Sequence, residues 1–161
     1  MSRSIDRVIA AAHAAGFDIK VSRMGESTRT AEDAAAQCGC SVAQIVKSLI
    51  FQGKDSAALY LFLVAGNNRL DAAKAAALAG EVLVRAEPRY IRDQTGFAIG
   101  GVSPIGHLID LPAFADRTLT AFPVVWAAAG AHDAVFSAEP NALIRAARAT
   151  VADIAEDASK A

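Results

Sequence analysis

Two nearly unbroken apolar runs, VKSLIFQ at 46–52 and ALYLFLVAG at 58–66, are separated by the turn GKDS at 53–56. Runs this short that carry apolar residues at almost every position suit strands buried on both faces, and a turn between them makes an antiparallel hairpin. A hairpin of that kind has to sit at the centre of a sheet with further layers on either side.

The remaining segments supply the layers. Residues 4–15 read as a helix with Ile5, Val8, Ile9 and Ala12 on one face and Gly16 at its end. Ile19 to Ser22 is a candidate short strand, and GESTRT at 25–30 is loop. Thr30 caps a helix TAEDAAAQCG with Asp33 three residues on, and Ser41 with Gln44 repeats that capping logic for one short turn. Asp71 opens a helix to Ala79 that Gly80 ends, VLVR at 82–85 is a strand, and Pro88 starts a helix to about Gln94 that stops at Gly96. Strands follow at 97–99, 123–130 and 134–137, then a last helix begins at Glu139 and Pro140, and the polar tail from about 153 is expected to fray. The fold class is α+β (mixed α/β): a single domain over 1–161 whose central sheet is mixed, largely antiparallel and flanked by helices.

Composition narrows the function. With 161 residues, 53% apolar and 20% charged, the chain is long enough for one core and too apolar for disorder. It has no apolar run of the ~20 residues that a membrane span requires and no signal-type leader, so a cytoplasmic protein without membrane partners is expected. Cys38 and Cys40 stand in a C-G-C spacing that would strain a disulfide, which fits a reducing compartment. The histidines His13, His107 and His132 lack the short spacing to cysteine that zinc modules use, so no metal is expected. A formal net charge of −1 disfavours tight binding to DNA or other duplex nucleic acid, and leaves room only for a small or transient contact.

Three places could carry chemistry. Strand periodicity puts Lys47 on the same face as Leu49 and Phe51 and opposite Ser48 and Ile50; it reads either as an anchor for phosphate or carboxylate in a cleft or as a snorkelling strand-end lysine. In GGVSPIGH at 100–107, Gly100 and Gly101 permit close backbone approach to a ligand and Pro104 fixes the end of the turn, so the loop can present peptide N–H groups to an oxyanion. An ordinary connecting turn has the same residues. Ser103 and His107 show neither a nucleophile-elbow spacing nor an acidic partner. His132, in AAAGAHDAVF, lies near a strand end as a candidate orienting group or acid–base, or as a plain loop histidine, and Gly66, Asn67, Asn68 and Arg69 could lie on the same rim.

In order, TRTAEDAAAQCGC, QIVKSLIF, a second buried strand, GGVSPIG and GAHDAVFSAEPNALIRA resemble the YbaK/ProX family, which includes the editing domain inserted in bacterial prolyl-tRNA synthetase. The resemblance spans about residues 5–155. It implies an aminoacyl-tRNA deacylase that hydrolyses the ester of mischarged tRNA, with tRNA for proline as the usual target. It also implies the acceptor end of that tRNA as partner, prolyl-tRNA synthetase as a second candidate partner, and no metal or organic cofactor. By resemblance Lys47 holds the terminal adenosine's phosphate, Gly100, Gly101 and Pro104 frame the ester and the attacking water, and His132 lines the amino-acid pocket. Thr30, Ser103, Gly130 and Asp133 complete the set as substrate-binding candidates. One branch, which edits alanine, has asparagine after the lysine where this chain has Ser48. Alanine, cysteine, serine, threonine and 2-aminobutyrate are all candidate amino acids, since one methylene in a pocket is worth only ~1–3 kcal/mol. The rival from another class is a non-catalytic module that binds aminoacyl-tRNA, aminoacyl-adenosine or a nucleotide.

Overall fold

The computed structural model describes residues 3–25 and 30–157. Its centre is the expected hairpin, β2 (Ile45–Gly53) against β3 (Leu59–Ala65), in antiparallel register from Val46 opposite Ala65 to Gln52 opposite Leu59. Every residue of β3 is buried, as its sequence requires. Burying leucines and phenylalanines such as Leu61, Phe62 and Leu63 contributes about 1.5–3 kcal/mol each relative to exposure.

The sheet is mixed. Around the hairpin stand β1 (Ser22–Arg23), β4 (Leu83–Arg85), β5 (Ala113–Asp116), β6 (Val125–Ala128), β7 (Ala134–Ala138) and β8 (Ala149–Ala152), in the order β1-β7-β6-β2-β3-β5-β8 with β4 also paired to β2. The pairs β2–β6, β3–β5 and β5–β8 are parallel, and the other four are antiparallel.

Helices cover both faces. On one, α1 (Arg3–Ala14) buries Ile5, Val8 and Ala12, and α4 (Pro88–Thr95) and α5 (Pro140–Ala146) add Ile91, Leu143 and Ile144 against Val46, Leu61, Leu63 and Phe136. On the other, α3 (Ala72–Ala79) sets Ala75 beside Tyr60, Phe62 and Val64, and Phe62 stacks on Phe114 at 5.5 Å. Helix α2 (Ala31–Cys38) packs Ala31 and Ala34 against Ile45 and Trp126. The capping signals act as the sequence indicates: Thr30 Oγ1 accepts from Asp33 N–H, Asp71 accepts at the start of α3, and Gly39, Gly80 and Gly96 end their helices in the left-handed conformation.

Several expectations are corrected. Residues 97–99 form no strand; Phe97 is buried in the core, its N–H donated to Thr95 Oγ1, and the chain turns at once. The strand foreseen at 19–22 occurs at Ser22–Arg23, and the one at 123–130 is confined to Val125–Ala128. The last helix spans only Pro140–Ala146, after which Arg148, at φ 54°, turns the chain into β8. Beyond β8 the tail stays attached: Ile154 is fully buried, its carbonyl accepts from Asp71 N–H, and Ala155 bridges Leu70. Part of the GESTRT loop, residues 26–29, and the terminal residues 158–161 lie outside the described residues.

Candidate active site

Strand β2 is continuously paired along one edge and interrupted along the other. Opposite β3 it pairs at every residue from Val46 to Gln52, whereas on its far side β6 takes only Ile45 and Val46 and β4 takes only Phe51 to Gly53. Residues 47–50 thus border a gap in the sheet. The direction of their peptide groups follows from β3. Leu61 N–H is donated to Pro112 and Ala65 N–H to the Asp116 carboxylate, both on the β5 side. The alternation of an antiparallel ladder then turns the peptide groups of Tyr60, Phe62 and Val64 toward β2, where they meet those of Phe51, Leu49 and Lys47. The N–H and C=O of Ser48 and the N–H of Ile50 face the gap.

A cleft of about 940 Å³ occupies this region, lined by residues 45–51 of β2 and by Trp126, Ala34, Arg85 and two loops, Ala98–Val102 and Gly130–His132. Thr30, Lys47, Gly100, Gly101, Gly130 and His132 all line it, so six of the nine candidates from the sequence come together there. Among the described residues, none that lines it is an aspartate, glutamate or cysteine.

Lys47 is half-buried, and its ammonium donates to the main-chain carbonyl of Asn68. The Asn68 side-chain amide donates in turn to Asp116 Oδ2 at 2.9 Å and Thr118 Oγ1 at 3.1 Å. Burial lowers the Lys47 pKa, Glu32 and Asp116 oppose that shift, and Arg69 reinforces it. The 66–69 turn is thereby linked to the site through Asn68.

The two loops touch. Gly101 needs to be glycine because a Cβ there would fall 2.9 Å from Ala131 Cα, and a Cβ on Gly100 would lie 4.0 Å from that of His132. Gly100 and Gly130 both have positive φ, 95° and 99°, the second with its backbone against Ser4 and Ile5 of α1. Gly101 N–H is donated to Ala98 C=O, which closes the turn and leaves Gly100 exposed at its tip.

The other three candidates lie outside the cleft lining. Ser103 is fully buried with its Oγ accepting from Ile105 N–H, and Pro104 is buried beside it, so both shape the loop from behind. Asp133 pairs with Arg23 at 2.8 Å and its carbonyl accepts from Met24 N–H, which fastens β1 to β7; the Arg23 partner holds its carboxyl below the usual range. His107 is also turned inward: its Nε2 lies 2.7 Å from Ser103 O and its ring meets Phe97 edge-on, while burial pushes its pKa down to about 4. The sequence reading missed the apolar wall of Ile45, Ala34 and Trp126 and the cleft-facing Arg85; the spacing of TAEDAAAQ could have revealed a small-residue helix face, but not what it faces.

Fold and cleft define an α/β domain with a ligand-sized opening in its sheet, walled among the described residues by peptide groups, apolar side chains and the basic groups Lys47, Arg85 and His132. The chain belongs to the aminoacyl-tRNA editing domain family, whose model matches residues 25–146. It is 32% identical over 123 residues to the uncharacterised protein YwhH of Bacillus subtilis, covering 76% of this chain and 78% of that one. It is 36% identical over 110 residues to a proline–tRNA ligase of Thermosipho melanesiensis, a match to 57% of this chain and only 19% of the ligase. A crystal structure described as a candidate trans-editing enzyme for prolyl tRNA synthetase superposes with a TM-score of 0.90 at 48% identity, over 98% of this chain and 99% of that one.

Proposed function

We propose that the protein is a trans-editing aminoacyl-tRNA deacylase that removes a small non-cognate amino acid from tRNA for proline. The observation that carries this reading is the meeting of Lys47, Gly100 and His132 in one cleft of a chain that belongs to the editing-domain family. In the reaction, water adds to the ester carbonyl, the bond to the ribose oxygen breaks, and that oxygen leaves with a proton; free amino acid and uncharged tRNA are the products. Among the described residues the cleft offers a lysine, a histidine and turned peptide groups, whose contribution is positioning and stabilisation of developing negative charge.

Each part has a role suited to its geometry. Lys47, held by Asn68 at the β6 end of the gap, supplies a fixed cation for the phosphate of the terminal adenosine. The turn at Gly100 brings a peptide group beside the ester without steric interference from a side chain. The gap-facing peptide groups of Ser48 and Ile50 are pairing partners for polar edges of the aminoacyl-adenosine. Trp126, with Ile45 and Ala34, forms the apolar wall, and His132 at the rim lines the amino-acid end.

The test is deacylation of proline tRNAs carrying alanine, cysteine, serine, threonine or 2-aminobutyrate, with a Lys47→Ala variant beside the parent. Selective release that the variant loses supports the reading and names the amino acid. A cleft whose described lining holds no carboxylate or thiol also suits a module that binds aminoacyl-tRNA without cleaving it. Tight binding with no release from any member of the panel would establish that alternative.

A further inference from the structure

The segment 96–107, whose tip lines the cleft, is pinned at its base by one side chain of α1. Arg7 Nη2 donates to Gly96 O at 2.6 Å and Arg7 Nε donates to Gly106 O at 3.2 Å, so a single guanidinium ties together the two ends of the loop. The same guanidinium stands over the Phe97 ring, 5.0 Å from its centroid, and that ring meets His107 at 5.0 Å. Both glycines make room for this arrangement: a Cβ at Gly96 would collide with Arg7 Nη2 at 2.3 Å, and one at Gly106 would fall 3.0 Å from Arg7 O.

Helix α1 reaches the second loop as well. A Cβ on Gly130 would lie 2.9 Å from Ser4 C and O, so the first turn of α1 abuts the chain just before His132. The two loops therefore touch each other at Gly101 and Ala131 and share one support. That support precedes residues 25–146, the segment that the family model matches.

We infer that Arg7 is a positioning residue for deacylation: through its fork to Gly96 and Gly106 it sets where the Gly100–Gly101 turn stands against β2. The inference rests on the deacylase reading above. A planar fork can hold two carbonyls in a fixed relation and a lysine cannot, so charge alone does not replace it. Misplacement of a catalytic turn by about 1 Å can cost up to ~100-fold in rate, so loss of this fork should show in turnover before it shows in substrate binding.

The experiment compares the full-length parent with Arg7→Met and Arg7→Lys below the melting temperature of all three, on the proline tRNA that the parent deacylates. The expected result is a kcat lowered roughly tenfold or more in Arg7→Met with KM little changed, incomplete recovery in Arg7→Lys, and faster amide exchange confined to 97–107 and 129–133. A lowered melting temperature with parental kcat per folded molecule would overturn the inference, as would unchanged exchange in both loops. Should Arg7→Met fail to fold, Arg7→Lys carries the comparison. If the parent releases no amino acid from any tRNA, the deacylase reading falls separately, and the exchange pattern alone decides whether Arg7 places the loop.

Discussion

Gly101 and Ala131 approach so closely that the peptide of one fills the space where the side chain of the other would stand: a Cβ on Gly101 would come within 3.0 Å of Ala131 N and C and 2.9 Å of its Cα. The contact joins two segments thirty residues apart in sequence into one wall of the cleft. Gly101→Ala is expected to force them apart at about 1–3 kcal/mol, the usual cost of overpacking. Thermal unfolding should show a lowered Tm, and deacylation should fall by more than the loss of folded protein explains.

Lys47 carries a charge that burial disfavours, so its folded pKa lies below its unfolded one. In that window the unfolded chain holds more protons, and stability rises with pH as the buried ammonium is relieved. Lys47→Met removes the burdened charge. Expected is a protein with a Tm equal to or above the parent's at neutral pH and strongly reduced deacylation; a large drop in Tm would mean that the lysine is chiefly structural.

His107 ties stability to pH through its burial. Its folded pKa of about 4 lies below the usual 6.5, chiefly through burial. Between those values the unfolded chain takes up the proton and the folded one does not, so this contribution to stability is intact above pH 6.5 and is lost as pH falls toward 4. The Tm of His107→Gln, followed from pH 7 to 4, should fall less steeply than the parent's.

Glu81 acts lower on the scale. Its carboxylate accepts from Asp55 N–H, Ser56 N–H, Ser56 Oγ and Tyr60 Oη, and these bonds, the Ser56 hydroxyl first, hold its pKa at about 2. The contribution is present above the unfolded value of 4.5 and disappears as pH falls through 2. Glu81→Gln should remove that acid sensitivity and loosen the β2–β3 turn, which hydrogen exchange at 53–58 would report.

Cys38 and Cys40 are expected to be slow nucleophiles. Burial raises both pKa values, Cys38 to about 11 with Cys40 adding to the shift, so little thiolate is present at pH 8. A thiol reagent at that pH should label them sluggishly, and Cys38→Ser/Cys40→Ser should keep full deacylation.

What could be read without coordinates followed the strength of local signals. The hairpin at 46–65 and the helices opened by Thr30, Asp71 and Pro88 are written in continuous apolar runs and capping residues, and they appear where expected. Strand β5, in LPAFAD, and strand β8, ATVA, are legible only through their neighbours: small alanines alternate weakly, and it is parallel pairing that makes them strands. Of the site, the glycine-rich turn, Lys47 and His132 stood out by residue type. Ser103, Pro104 and Asp133 shared those motifs, yet a motif does not tell which of its side chains turns inward. That Arg7, about ninety residues earlier, grips the loop has no trace in local spacing.

The gap along β2 has a consequence for the behaviour of the protein at high concentration. Unpaired strand edges invite other chains to add a strand, and evolution generally blunts them. Here the open stretch is only residues 47–50, closed at one end by β6 and at the other by β4. A foreign strand would find too short a template and be stopped by both neighbours. The molecule can thus keep a few peptide groups available to a small guest while denying them to its own copies.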